Sequence, residues 1–340
     1  MPVRAKRSWL NRRLPYVYGA LIVIGFLLID WAGYDLLLPD PAPYRYELIA
    51  DGTIANFPDL ALSVPQNLTI RKFEARLDKD GSAFAELYIA DPGPEVAPIL
   101  LDWQNRSSEL ALAIPSRTED LDQLAEAVKL HIPEDAVMLG WWDTNRQLHA
   151  LTGVKIFYDA NFPRPLFIPP SWDDDLNAIE SLERVFWRIS ENGTEDFGRF
   201  LDALSSEAEA GSAMLKEIAE GRKSFIVVQL SDVYKLALTR PNLVGVGYRD
   251  FAVSGHIHDD IIQVKKWLGQ QGFSHYAVES FGIAKKRVYY LKDSMTANTL
   301  LAHMLPFGEF NPLALSGLKL VANYGSYWVY EIEPENAAVD

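Results

Sequence analysis

Hydrophobic and polar positions follow two different periods along this chain, and the change lies near residue 115. Before it, apolar positions tend to alternate with polar ones over short runs such as residues 67–77, as in strands with one buried face. After it, segments with helix-like apolar spacing alternate with short, wholly apolar runs. We therefore predict an α/β protein with a small β-rich module at 44–114 and a mixed α/β domain at 115–334.

The second pattern is specific enough to predict individual elements. Leu121, Leu124 and Val128 recur on one helical face and predict a helix over 121–130. The run from 224 to 230 is almost wholly apolar, which is typical of a strand buried on both faces of a parallel sheet. Further strands are predicted at 136–140, 154–158, 243–246, 275–280, 287–291, 318–323 and 327–332, and further helices at 176–189, 197–220 and 257–271.

The first 33 residues have a pattern of their own. Residues 1–13 hold five basic side chains and no acid, and residues 14–29 hold no charge. This order is typical of a membrane helix whose basic end stays in the cytoplasm. The competing interpretation, a cleaved signal peptide, is disfavoured because no small-residue cleavage site follows the run. We predict a basic cytoplasmic tail at 1–13 and a single-pass transmembrane signal anchor at 14–33 in the cytoplasmic membrane, with the remaining chain in the periplasm.

The chain is acidic, although its tail is basic. The formal net charge of the 340 residues is −14. Nucleic-acid phosphates would be repelled by such a surface, so we expect no nucleic-acid partner. Acids on the predicted helix at 197–220 form either a solvated face or a docking surface for a basic redox protein, since complementary charge accelerates association. These acids are Asp202, Glu207, Glu209, Glu217 and Glu220.

The sequence contains no cysteine. This excludes zinc–thiolate sites, iron–sulfur clusters, covalent haem attachment through Cys-x-x-Cys-His and a cysteine nucleophile. The glycine motifs of dinucleotide and phosphate binding do not occur either, nor does a Gly-x-Ser-x-Gly nucleophile elbow. We expect no cofactor, and we interpret the protein as a binding protein rather than an enzyme.

The predicted strand at 136–140 ends in Trp141-Trp142-Asp143-Thr144. Open α/β sheets bind their ligands at the carboxyl ends of strands. Two indoles offer flat apolar faces and N–H donors there, and the Asp143 carboxylate offers acceptors, so the motif is a candidate recognition edge. A second interpretation stays open, in which Asp143 caps a helix over 144–151 and both tryptophans belong to the core.

This region is similar to the soluble domain of the Stt3-type oligosaccharyltransferases. The similarity rests on residues 133–137, on Trp141-Trp142-Asp143 and on the stretch from Gly153 to Asp159. In that family a Trp-Trp-Asp-Tyr-Gly motif recognises the Ser or Thr of the acceptor sequon, whereas here Thr144 and Asn145 replace Tyr-Gly. The many membrane helices that carry that enzyme's catalytic acids have no counterpart here. The resemblance implies a domain shape and, as an alternative function, peptide or glycan binding.

Most of the chain resembles the HaoB family, the membrane-anchored companions encoded beside hydroxylamine oxidoreductase in ammonia- and methane-oxidising bacteria. The motifs are 139–144 with Arg146, then 151–153, 245–251 and 327–330. The resemblance implies an accessory or tethering protein of periplasmic hydroxylamine oxidation, with hydroxylamine oxidoreductase or a multihaem cytochrome as its partner. The residues predicted to contact a ligand or partner are Trp141, Trp142, Asp143, Thr144, Arg146, Asp159, Arg249 and Asp250.

His256 and His258 form a candidate metal site. On a strand, residues two apart face the same side, so both imidazoles could reach one zinc or copper ion. The third ligand would have to come from elsewhere; the histidines available are His131, His149, His275 and His303. The alternative needs no metal, because Asp259 and Asp260 would suit the N-terminal dipole of the helix predicted at 257–271.

Overall fold

The computed structural model describes residues 23–26, 41–60, 62–65, 68–94, 96–107, 118–158, 168–189, 194–253, 256–281, 285–308 and 310–334. It divides the chain into two compact units, Met1–Ala42 and Pro43–Asp340. The described residues of the first unit are 23–26, which are helical, and 41–42, which lie in no helix or strand. Within the described ranges, no helix has the length and apolar character needed to span a membrane. Most of the anchor predicted at 14–33 lies outside these ranges, and it stays a prediction.

Strands and helices alternate through most of the second unit. The described strands are β1 (Tyr44–Gly52), β2 (Thr69–Leu77), β3 (Ala83–Asp91), β4 (Ile99–Asn105), β5 (Val137–Gly140), β6 (Lys155–Ile156), β7 (Ser224–Gln229), β8 (Val246–Ala252), β9 (Tyr276–Phe281), β10 (Lys285–Leu291), β11 (Leu318–Tyr324) and β12 (Tyr327–Ile332). The described α-helices are α1 (Thr118–His131), α2 (Trp142–Thr152), α3 (Leu176–Phe186), α4 (Thr194–Ser205), α5 (Ala208–Ala219), α6 (Asp232–Thr239), α7 (Ile257–Gln271), α8 (Ser294–Ala297) and α9 (Leu300–Met304).

These strands form three sheets. β1 to β4 make an antiparallel sheet in chain order, and β8, β10 and β9 make a second antiparallel sheet with β10 in the middle. The central sheet has the order β11-β12-β7-β5-β6, in which β7, β5 and β6 run parallel while β12 is antiparallel to both of its neighbours. The mixed α/β class predicted from the sequence is therefore confirmed.

The central sheet has an apolar core on each face. On one face Leu139 of β5 belongs to a cluster with Phe200 of α4, and on the other Met138 belongs to a cluster with Leu124 of α1. Strand β7 is buried along its whole length because it lies between β12 and β5 and carries core on both faces, as its apolar run predicts. The second cluster also contains Leu101 of β4, so the four-stranded and central sheets share this core.

The single helix predicted at 197–220 is wrong, because the structure has α4 and α5 there instead. At the break, the Ser206 hydroxyl donates to the Asp202 carbonyl (2.7 Å) and the Ser206 carbonyl accepts from the Leu300 N–H (2.8 Å). The helices pack so closely that a Cβ atom on Gly211 would lie 2.3 Å from the Ala203 carbonyl oxygen. Apolar spacing continues through the break, so periodicity alone does not predict it.

Candidate functional site at the Trp-Trp-Asp corner

Trp141, Trp142 and Asp143 lie at the carboxyl end of β5. There β5 runs parallel to β7, with Gly140 opposite Val227. The chain turns at Trp141, whose backbone is extended, and α2 begins at Trp142. The predicted place of the motif, at the carboxyl edge of a buried parallel pair, is confirmed.

The two indoles face inward. Trp141 is fully buried and meets Phe197 of α4 edge to face, with ring centroids 5.5 Å apart. Trp142 is 8% exposed and meets Trp187 at 6.3 Å in a similar arrangement. Buried aromatic side chains of this size contribute mainly to the packing energy of a core. The expectation that they present flat faces to a ligand is therefore wrong for this conformation, and the interpretation as core residues holds.

Asp143 is not the N-cap of α2, because that position belongs to Trp141. Its carboxylate instead lies in the first turn, where it accepts from the Thr144 N–H at 2.7 Å. A negative charge in the first turn stabilises a helix through its exposed N–H groups and its dipole. Asp143 thus supports the start of α2 from a position other than the one predicted.

Asp143 also belongs to a buried ion network that was not predicted from the sequence. The Lys235 ammonium of α6 lies 3.1 Å from the Asp143 carboxylate and 3.2 Å from that of Asp232. It also lies 5.4 Å from the ring centroid of Trp141. The side chains of Lys235 and Asp232 are each 2% exposed, and that of Asp143 is 16% exposed. One cation between two carboxylates thus fills the corner between β5 and β7.

Burial and charge shift the pKa values of this network in ways that can be assigned. Burial raises the pKa of the Asp232 carboxyl from 3.8 to about 6, because desolvation disfavours the ion more than Lys235 stabilises it, and Asp143 repels it. Burial also disfavours the Lys235 ammonium, yet the two carboxylates outweigh this and raise the pKa of Lys235. The cation is therefore held charged, and Asp232 is the group that takes up a proton as the pH falls.

The raised pKa of Asp232 predicts a pH-dependent stability. Because the folded state holds this proton more tightly, the contribution of Asp232 to the free energy of unfolding grows as the pH falls from about 6 towards 4, and is lost as the pH rises through 6. Asp232→Asn should remove this contribution. Urea unfolding from roughly pH 4.5 to pH 8, a window that spans the titration of Asp232, measures the change. Asp202→Asn, at an exposed carboxyl paired with Arg240, is the control and should keep the wild-type profile. An unchanged profile in Asp232→Asn would contradict the prediction.

The remaining predicted contacts on this segment point into the protein. Thr144 is 2% exposed and accepts a long hydrogen bond from the Gln229 amide (3.4 Å). Arg146 is 5% exposed and donates to the Ala97 carbonyl. Asp159 lies outside the described residues. The corner is thus tied to β7 and to the segment before β4, rather than open to an outside ligand.

Gly140 is required by the close approach of β7 and α2. A Cβ atom there would lie 2.6 Å from the Val227 side chain and 2.8 Å from the Asn145 amide oxygen. Gly140→Ala should therefore lower the free energy of unfolding by about 1–3 kcal/mol, as overpacking does in other cores. Urea unfolding followed by tryptophan fluorescence tests this. Gly269→Ala is the control, because a Cβ atom there meets nothing within 4 Å, and a loss as large in that variant would refute the steric explanation.

His256 and His258 do not lie on a strand. Helix α7 begins at Ile257, so His256 flanks it while His258 lies in its first turn. The prediction that both imidazoles share one side of a strand is therefore wrong, because His256 is an extended residue before the helix and His258 is helical. Among the described residues there is no group of three His, Cys, Asp or Glu side chains suited to a metal ion. Asp259 and Asp260 occupy the first turn, as the dipole interpretation predicts.

Comparison with known protein families identifies the family of this chain. The family model of the HaoA-associated protein HaoB matches residues 11–332. The chain belongs to the HaoB family. Membership makes the protein an accessory protein of hydroxylamine oxidation. A comparison with curated proteins returned no match. Among solved structures, the C-terminal domain of C. jejuni PglB is similar at 10% identity and a TM-score of 0.36, over 62% of this chain and 98% of that domain.

In this member of the HaoB family, Arg249 and Asp250 do not form one site. They are neighbours on β8, and successive strand residues point to opposite faces. Asp250 accepts from the Arg287 guanidinium of β10 at 2.7 and 2.9 Å. Arg249 lies over the ring of Trp267 on α7, 4.9 Å from its centroid. Each side chain is thus engaged within the protein, on its own face of the sheet.

Two other residues of the family motifs have structural roles in this chain. Gly247 lies opposite Tyr290 of β10, and a Cβ atom on it would be 2.4 Å from that ring. Tyr330, in the closing motif on β12, is fully buried and donates from its hydroxyl to the Met304 carbonyl. The motifs that point to the HaoB family therefore include residues that fix how strands and helices pack.

Proposed function

We propose that this protein is a membrane-anchored periplasmic accessory protein that tethers or assists hydroxylamine oxidoreductase or its cytochrome partners. The match of the HaoB family model over residues 11–332 carries the proposal, since the family is described as HaoA-associated.

The acidic side chains on α5 and at its start form a surface suited to docking a basic partner. Glu207, Glu209 and Glu217 are exposed, and none of them has an ion-pair partner among the described residues. Asp202 and Glu220 are also exposed, but they pair with Arg240 and Arg222. Free carboxylates accelerate association with a basic partner and lose their influence as salt screens them. We take the three unpaired glutamates as the docking face.

Affinity capture of the tagged full chain from solubilised membranes of a native host tests the association. Capture should recover HaoA or a multihaem cytochrome at low salt and lose most of it at high salt. The triple variant Glu207→Gln, Glu209→Gln, Glu217→Gln should recover several-fold less. A matched variant, Asp173→Asn, Asp174→Asn, Glu195→Gln, removes three exposed acids elsewhere and should behave as wild type. If neither HaoA nor a cytochrome is recovered at low salt, the proposal fails.

The tethering role has its own test. Replacing residues 1–33 with a cleavable export signal should release the body into the periplasm, together with any HaoA that it holds. Fractionation of cells would then show HaoA moving from the membrane fraction to the soluble fraction. If HaoA keeps its distribution while capture still recovers it, the protein assists the enzyme without tethering it.

A further inference from the structure

A cleft between α1 and the central sheet lies apart from the corner described above. Its volume is about 370 Å³. Its walls include Leu124 and Val128 of α1, Phe225 of β7 and Val329 of β12, each at most 4% exposed. Small-molecule sites usually have volumes of about 300–1,000 Å³ and mainly apolar walls. The cleft therefore has the size of a small binding site, and its accessible lining is polar as well as apolar.

A bulge in the edge strand forms one wall of the cleft. The pairing of β11 with β12 shifts between Leu320 and Ala322, which leaves Val321 without an opposite residue. Val321 is 41% exposed and lines the cleft, as does Ala322. Bulges bend and twist a strand locally and often lie beside functional sites. Here the bulge adds an exposed apolar side chain to the wall.

Lys223, Glu331 and His131 line this cleft. Lys223 immediately precedes β7, and Glu331 is paired in register with Phe225, two residues further along. His131 is the last residue of α1. Lys223 and His131 are exposed, and Lys223 has no ion-pair partner among the described residues. An acidic protein thus places a free cation and an imidazole beside apolar walls.

We propose that this cleft binds a small amphiphilic monocarboxylate. Its apolar body would lie against the accessible side chains of Val321, Ala322 and Ile132, and its carboxylate would meet Lys223 and His131. A volume of about 370 Å³ lies near the lower end of the range for small-molecule sites and suits a small ligand. Glu331 would repel a second negative charge, which favours a monoanion over a dianion.

Calorimetric titration of the full chain in nanodiscs, with empty nanodiscs as the blank, tests the ligand class. Phenylbutyrate, phenylbutanol and phenylbutylamine share one apolar body and differ in charge. We expect phenylbutyrate to bind one molecule per chain, the alcohol about tenfold more weakly, and the amine more weakly still. If the acid shows no saturable binding, or the amine binds as tightly as the acid, the proposal is wrong.

Variants assign the binding to the cleft. Lys223→Gln should weaken phenylbutyrate at least fivefold and leave the alcohol unchanged, whereas Glu331→Gln should tighten phenylbutyrate. Val321→Ser removes the exposed apolar side chain of the wall and should weaken binding of both the acid and the alcohol several-fold. Lys129→Gln, at a lysine paired with Glu126 outside the cleft lining, is the control and should bind as wild type. Unchanged affinity in Lys223→Gln, or weaker binding in Glu331→Gln, would overturn the assignment.

Discussion

Replacing Lys235 by methionine is expected to lower the free energy of unfolding by about 3–5 kcal/mol, the range seen when one partner of a buried ion pair is removed. Methionine keeps much of the aliphatic stem but leaves Asp143 and Asp232 facing each other without their shared cation. Asp232 is 2% exposed, so water cannot replace the lost charge. Urea unfolding of the purified full chain measures the loss at about pH 7.5, which is above the raised pKa of Asp232.

The Lys235→Met result has two matched controls. Lys129→Met removes an exposed lysine that pairs with Glu126, and should change stability by about 0.5 kcal/mol or less. The double variant Lys235→Met, Asp232→Asn removes the stranded charge as well and should recover a substantial part of the loss. A single variant as stable as wild type would mean that the network does not hold the corner. A double variant no better than the single would assign the loss to packing instead.

Trp141→Ala should also cost about 3–5 kcal/mol, because it empties a fully buried site of the largest side chain that proteins use. The indole meets Phe197 edge to face and lies beside the Lys235 ammonium, so both contacts are lost together. Trp141→Phe keeps a ring against Phe197 and should lose less. Unfolding followed by circular dichroism avoids relying on the fluorescence of the residue that is removed.

The same corner provides a test of the peptide- or glycan-binding alternative. A recognition edge would show quenching of tryptophan fluorescence by sequon peptides or oligosaccharides, and Asp143→Ala would abolish it. With Trp141 buried and Asp143 held by Lys235, we expect no saturable quenching by either class. Saturable quenching in the wild type that is lost in Asp143→Ala would restore the alternative.

Local pattern predicted much of this fold because the central strands are apolar on both faces. Neighbouring residues encode the strand β7, the helix α1 and the hairpin of β11 and β12. In the hairpin, the turn contains Gly325, whose backbone has φ of +57°. The place of Trp141 at the end of β5 followed from the same logic. Its burial did not, because Phe197 reaches it from a helix more than fifty residues away in the sequence.

Lys235 was missed for a different physical reason. Lysine is almost never fully buried unless it is paired, so a lysine in a short helix is normally taken for a surface residue. Helix α6 has eight residues and was not predicted. A signal was nevertheless present: Asp232 and Lys235 are three residues apart, directly after the carboxyl end of β7, which is buried along its whole length. An acid and a base spaced in this way beside a buried strand end can be sought in other chains.

The core shared by the two larger sheets limits how this chain can be cut or recombined. Leu101 of β4 and Leu124 of α1 belong to one cluster, although a boundary near residue 115 separates them in the sequence. A chimaera joined at that point with an unrelated partner would bring together two halves of different cores. Exchange between family members would succeed only where both sides of this contact are inherited together. The sequence on either side of residue 115 is therefore under a common constraint, even though its hydrophobic period changes there.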